Sequence, residues 1–162
     1  MQYSSIPIIY QSFESPLSHE AIVLMTEVNQ VLFPFNESVE ILSSFFIQKT
    51  KAFICIALKE QRAIGFKAGF QLQPGVFESW RGGVLESERR LGVASHLMRL
   101  QHHWCISHGF HMIKTTTNDD NKAMLNLNLQ HGFKVVSTFL NPQNRLKIVQ
   151  EKKLLTEDRE LK

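Results

Sequence analysis

Val84-Leu85-Glu86-Ser87-Glu88-Arg89-Arg90-Leu91-Gly92-Val93-Ala94-Ser95-His96-Leu97 reads as the end of an apolar strand, a short charged turn and the start of a helix. Arg89 and Arg90 stand where a helix N-terminus, already partly positive, favours acids. The misfit is about 0.3–1 kcal/mol per charge, and Glu86 and Glu88 offset part of it. An anion at the helix start removes it more directly, through exposed N–H groups and the dipole together. Gly92 suits such a site: inside a helix it costs about 1 kcal/mol against alanine, yet it admits a ligand close to the backbone. The stretch predicts a diphosphate-binding strand–turn–helix.

Working outward toward the N-terminus, residues 77–85 are a strand carrying Gly82 and Gly83, a sign of a bulge or a close backbone approach. Residues 52–58 and 63–72, separated by the polar turn 59–62, form a hairpin before it. Ser18 is an N-cap for a first helix ending near Phe33 and Pro34, and a second helix starts at Asn36. Residues 6–10 form an edge strand interrupted by Pro7. Phe33, Phe35, Phe45 and Phe46 crowd this half and read as core or groove wall, with some available to line a pocket.

Toward the C-terminus, the helix from Gly92 ends at His108 and Gly109, and 111–117 is the next strand. Strand, helix, strand implies a parallel pair with a right-handed crossover. Asn118 and Asp119 cap a further helix that stops at His131 and Gly132, and two strands follow at 133–140 and 145–152. The whole is a mixed α/β (α+β) fold: one central, mostly antiparallel sheet of about seven strands, a parallel central pair, and helices on both faces. Residues 1–155 are expected to be a single domain, with 156–162 a charged tail.

Composition narrows the function classes. The chain has 162 residues, 43% of them hydrophobic. No apolar run of about 18 residues predicts a membrane span, and the first residues lack the layout of a signal peptide. Cys55 and Cys105 read as buried thiols in a reducing compartment, so a cytoplasmic location is expected. A net charge of +3 is too mild for a nucleic-acid binder. Arg81, Arg89, Arg90 and Arg99 also lack an interleaved aromatic platform. The seven histidines match no zinc spacing, so no metal site is expected.

Arg89-Arg90-Leu91-Gly92-Val93-Ala94 matches the Gln/Arg-x-x-Gly-x-Gly/Ala signature of the GNAT superfamily of N-acetyltransferases, which the chain resembles across nearly its whole length. Asn121-Lys122-Ala123-Met124, then Leu127-Asn128 and Gly132-Phe133, is similar to the superfamily's second cofactor motif. The resemblance implies acetyl-CoA as co-substrate, its pyrophosphate held by the amides of Leu91, Gly92, Val93, Ala94 and Ser95 with Arg89 and Arg90 adding charge-assisted contacts. It implies that Val84 and Leu85 offer backbone groups to the pantetheine arm, as an added strand would, and that Asn121 lies near that arm. Many members carry a Tyr where this chain has Asn128, and an amide orients or donates but transfers no proton. Asn128 is therefore read as a cofactor contact and a catalytic candidate that is no general acid.

Glu78, near where relatives place a catalytic carboxylate, is the candidate base; the competing reading is a solvated loop residue. Trp80 reads as packing beside the glycines. The expected reaction is direct acetyl transfer to a primary amine, with a non-catalytic acyl-CoA-binding module as the alternative. The superfamily acylates metabolites, antibiotics, peptides and protein amines, so the fold does not choose the small-molecule or peptide acceptor. Exposed edge strands make a homodimer an expected partner state.

Overall fold

Residues 5–154 are described by the computed structural model, and among them the chain forms seven strands and four helices. In order they are β1 (Ile8–Glu14), α1 (His19–Leu32), α2 (Val39–Ile47), β2 (Phe53–Lys59), β3 (Arg62–Gln73), β4 (Val76–Val84), α3 (Val93–Ser107), β5 (Met112–Asn118), α4 (Lys122–Gln130), β6 (Lys134–Leu140) and β7 (Leu146–Lys153). The hydrogen-bonded strand order is β1-β2-β3-β4-β5-β7-β6. β4 and β5 are parallel, while β1–β2, β2–β3, β5–β7 and β6–β7 are antiparallel. The mixed sheet with one parallel pair is the fold the sequence predicts. The expected charged tail at 156–162 lies outside the described residues.

The chain divides into two compact units, with β3, β4 and α3 each running through both. The first comprises residues 5–70 and 81–101. Its core joins Met25 and Val28 of α1, Leu42 of α2, Ile54 and Ile56 of β2, Phe66 of β3 and Leu97 of α3, all buried. β2 and β3 are apolar almost throughout because both of their faces are covered, so neither alternates in the manner of a half-exposed strand. Gly82 is dictated by packing: a Cβ there would lie 2.9 Å from the backbone oxygen of Phe66. The phenylalanines separate into two groups. Phe45, Phe46 and Phe70 pack edge to face, whereas Phe33 and Phe35 stack in parallel on the segment between the first two helices.

Arg81 of β4 ties that segment down. Its Nη1 donates to Asn29 Oδ1 at 3.0 Å and to Glu37 Oε1 at 2.9 Å. Its guanidinium lies 5.1 and 5.0 Å from the Phe33 and Phe35 ring centres. Hydrogen bonds to charged groups contribute about 1.5–3 kcal/mol, and removing Arg81 leaves Asn29, fully buried, with an unanswered carbonyl. Arg81→Ala is therefore expected to lower the urea-unfolding free energy by about 2 kcal/mol and to speed amide exchange at 33–38. Unchanged exchange there would show that the segment does not need Arg81.

Beneath α3, Cys55 and Lys67 are cross-strand partners on β2 and β3. The Cys55 thiol is 3.5 Å from Leu97 O and 3.6 Å from Lys67 O. Burial pushes this thiol up to about 12 and lowers Lys67 to about 8, because low dielectric disfavours the charged form of either group.

The second unit comprises residues 71–80 and 102–154 of the described chain. Phe77, Phe110, Ile113 and Phe133 are its largest buried apolar side chains, and Trp104 packs edge-on to Phe77 and stacks on Phe110. β6 is exposed along its whole length, including Val135, Val136, Phe139 and Leu140.

The largest departures from the sequence reading are at β1, the start of α2 and the cap of α4. β1 begins at Ile8 and runs to Glu14, because pairing with β2 from Ile8↔Lys59 to Glu14↔Phe53 holds its polar residues extended. The second helix starts at Val39 rather than Asn36, with Ser38 Oγ accepting the Ile41 N–H. The cap of α4 is Asn121, not Asn118 or Asp119. Asn118 is still paired with Lys147 in the β5–β7 ladder, so the chain cannot turn into a helix there.

Candidate functional site

The first unit contains a cradle built by the segment that follows β4. Leu85 N–H donates to Ile64 O at 2.8 Å, which keeps the strand end on β3. The chain makes one 3₁₀ turn at Glu86–Glu88, and Arg89 Nε then reaches back to Val84 O at 3.0 Å. Arg90 and Gly92 both take left-handed backbone, φ 67° and 76°. Alternating left-handed residues turn successive N–H groups to one side and create an anion-binding concavity. Bonding within α3 begins with His96 N–H to Gly92 O at 3.0 Å, so the N–H groups of the first turn have no intrahelical acceptor. Gly92 precedes the helix, and among the described residues no atom lies within 4 Å of where its Cβ would stand. The left-handed backbone, not crowding, calls for glycine here.

A cavity of ≈ 200 Å³ opens on this segment, lined by Val84, Arg89, Arg90, Gly92, Val93, Ala94 and Ser95, together with Glu88. Seven residues singled out in the sequence thus converge, while Leu91 between them points its side chain outward, 60% exposed. The offset expected of Glu88 is redirected: its Oε2 accepts from Lys59 Nζ at 3.0 Å. The cradle keeps the charge of Arg89 and Arg90, as an anion site requires. Neither the lining role of Glu88 nor its pairing with Lys59, 29 residues away, carried a signal in the sequence. Beside the cradle, His96 of the first α3 turn stacks on Tyr10, ring centres 3.8 Å apart. Burial, and then the charge of Arg99, lower the His96 pKa.

The Leu85 backbone groups expected to serve as strand-like donors are engaged within this unit, N–H to Ile64 O and C=O from Glu88 N–H at 2.9 Å. Val84 is the member of the pair that lines the cavity.

The remaining candidates lie in the second unit. Glu78 is the third residue of β4, in register with Lys114 of β5 and half-buried, and so not the solvated loop residue of the competing reading. Asn121 caps α4, its Oδ1 accepting the Met124 N–H at 3.2 Å. Asn128 is 2% exposed, and its Nδ2 donates to Gln150 Oε1 at 2.8 Å. Gln150 is itself fully buried and donates to Leu125 O. The Asn128 amide N–H is thus answered by a side chain. Among the described residues, no three His, Cys, Asp or Glu side chains gather closely enough to hold a metal ion.

No curated protein matches the chain by sequence. Several solved structures share its fold. Ard1 from Thermoplasma volcanium superposes with TM-score 0.77 at 14% identity, covering 91% of this chain and 98% of its own. The NatC complex bound to Gag peptide and CoA gives 0.75 at 15%, with coverages of 91% and 99%. An aminoglycoside 6'-N-acetyltransferase complexed with coenzyme A gives 0.75 at 14%, with 91% and 97%. At these identities the likeness is one of fold. The sequence model of the acetyltransferase (GNAT) family matches residues 21–133, more than two-thirds of the chain and both motifs predicted from the sequence. With the signature turn forming the cradle and the fold in common, the chain belongs to the acetyltransferase (GNAT) family.

Proposed function

We propose that this family member transfers the acetyl group of acetyl-CoA directly to a primary amine, on a small molecule or a peptide. The observation that carries the reading is the cradle, with two left-handed residues, the start of a helix and two arginines around one cavity. Its donor set suits a pyrophosphate: backbone N–H groups around Leu91, Gly92, Val93, Ala94 and Ser95 point charge-neutral donors, and Arg89 and Arg90 add cations. When bound, acetyl-CoA supplies an acetyl group activated as a thioester. Val84 and Leu85 continue the strand beside which the pantetheine arm is read. That two structural neighbours were solved with CoA supports the same co-substrate. Residues 1–155 are read as one acetyltransferase domain, since the family match runs through both units.

An amine with pKa near 10.4 needs about 4.6 kcal/mol to present its neutral form at pH 7, which is the task of a base. Glu78 is assigned that task, and Asn121 and Asn128 are assigned as cofactor contacts. Glu78→Gln is expected to lower kcat about 10²-fold or more and to flatten the acidic limb of the pH profile. An unaltered profile would remove Glu78 from the mechanism.

The alternative, a non-catalytic acyl-CoA-binding module, is favoured by one observation: Asn128, at the position of the usual Tyr, is locked to Gln150 and has no proton to transfer. Thiol release from acetyl-CoA with a panel of amines decides between the two. The open edge of β6 is assigned to self-association, read from the molar mass in solution. Among the described residues, no helix is long and apolar enough to cross a membrane.

A further inference from the structure

A second cavity in the first unit, ≈ 530 Å³, opens where the chain leaves β1 and runs past the C-terminal end of α2. Its size is that of a small-molecule site. β1 separates it from the cradle: Ile8 at one end pairs with Lys59, the partner of Glu88, and the cavity begins at Ser15, just beyond Glu14 at the other. Seven residues of strand span about 20 Å, so the two cavities are separate sites.

The lining divides by chemistry. Ile22 and Phe46, both buried, form an apolar floor. Lys49 and His19 supply the basic groups, and among the described residues no acidic side chain lines the cavity. Lys49 Nζ lies 4.6 and 4.5 Å from the Phe45 and Phe70 ring centres and has no carboxylate partner among the described residues. Two hydroxyls complete the polar side. The Ser43 hydroxyl forms no hydrogen bond among the described residues, and Ser18 Oγ accepts the Ala21 N–H while keeping its own proton to donate. An ammonium positioned by aromatic rings, hydroxyl donors and an apolar floor match a ligand with an anionic head on an apolar body.

We propose that this cavity binds small organic carboxylates carrying an aliphatic or aromatic body, at a site distinct from the cradle. Octanoate titrated into ¹⁵N-labelled protein is expected to give saturable shifts confined to residues 15–22 and 43–49. Octanol and octylamine, with the same chain and no anion, are expected to bind at least about tenfold more weakly, the loss of one charge-assisted contact. Lys49→Gln should weaken octanoate by about the same factor and leave octanol unaffected, and its melting temperature serves as the folding control. Shifts that fail to saturate, equal binding of octanol, or full affinity in Lys49→Gln would each overturn the proposal.

Discussion

Gly92→Val is expected to leave the protein folded and unable to bind acetyl-CoA. The φ of 76° at this position costs an L-residue about 1–2 kcal/mol, and a β-branched side chain is the worst case. The surroundings add nothing to that cost, since no atom of the described residues lies within 4 Å of a Cβ there. The strain is therefore confined to the backbone, and its relief turns the amides around Leu91 and Val93 away from the anion they would hold. A ligand at about 100 times its Kd raises native stability by about 2.7 kcal/mol, a shift of roughly 5–10 °C for a chain of this size. The parent protein should show that shift and Gly92→Val should show none, with the two melting within a few degrees of each other in the absence of ligand. A variant that kept the shift would mean that the cradle does not hold the cofactor.

The second large effect is one of stability. Lys67 is buried without a carboxylate partner among the described residues and titrates at about 8 in place of 10.5, through burial first and despite the opposing influence of Cys55. Between pH 8 and 10.5 the unfolded chain binds the proton and the native one does not, so stability rises with pH across that window. Below pH 8 both states carry the charge and the native state bears the full penalty, roughly 3 kcal/mol. Lys67→Met, of similar reach and uncharged, is expected to be more stable than the parent by about that amount at pH 7. The difference should shrink toward zero as pH passes 10.5. Urea unfolding at pH 7, 9 and 10.5 checks it, and a gain independent of pH would show that packing, not charge, was responsible.

What could be read in the sequence was what is local. The end of α1 at Leu32 lies one residue from its expected limit at Phe33, and Ser18 caps its start, because cap chemistry acts within a few residues. The turn from Arg89 to Ser95 was legible for the same reason. Contacts that close long loops were not. Arg81 bonds to Glu37 and Asn29 across 44 and 52 residues, and Glu88 turns to Lys59 across 29. Charge patterning along the chain cannot select such partners. The end of β1 was misplaced because Gln11 and Ser12 look polar in isolation, and only pairing with β2 makes them a strand. Asn128 was legible as an amide in place of the usual Tyr, but Gln150, its partner on β7, is 22 residues away.

Cys55 has a practical consequence. A thiol at about 12 is ionised to only about one part in 10⁵ at pH 7, and the thiolate is the reactive species. Cys105 is fully enclosed as well. Aromatic disulfide reagents that colour on meeting free coenzyme A should therefore register turnover against a silent protein background. The same reagents should register two further equivalents per chain once it unfolds, so one cuvette reports both the reaction and the survival of the catalyst.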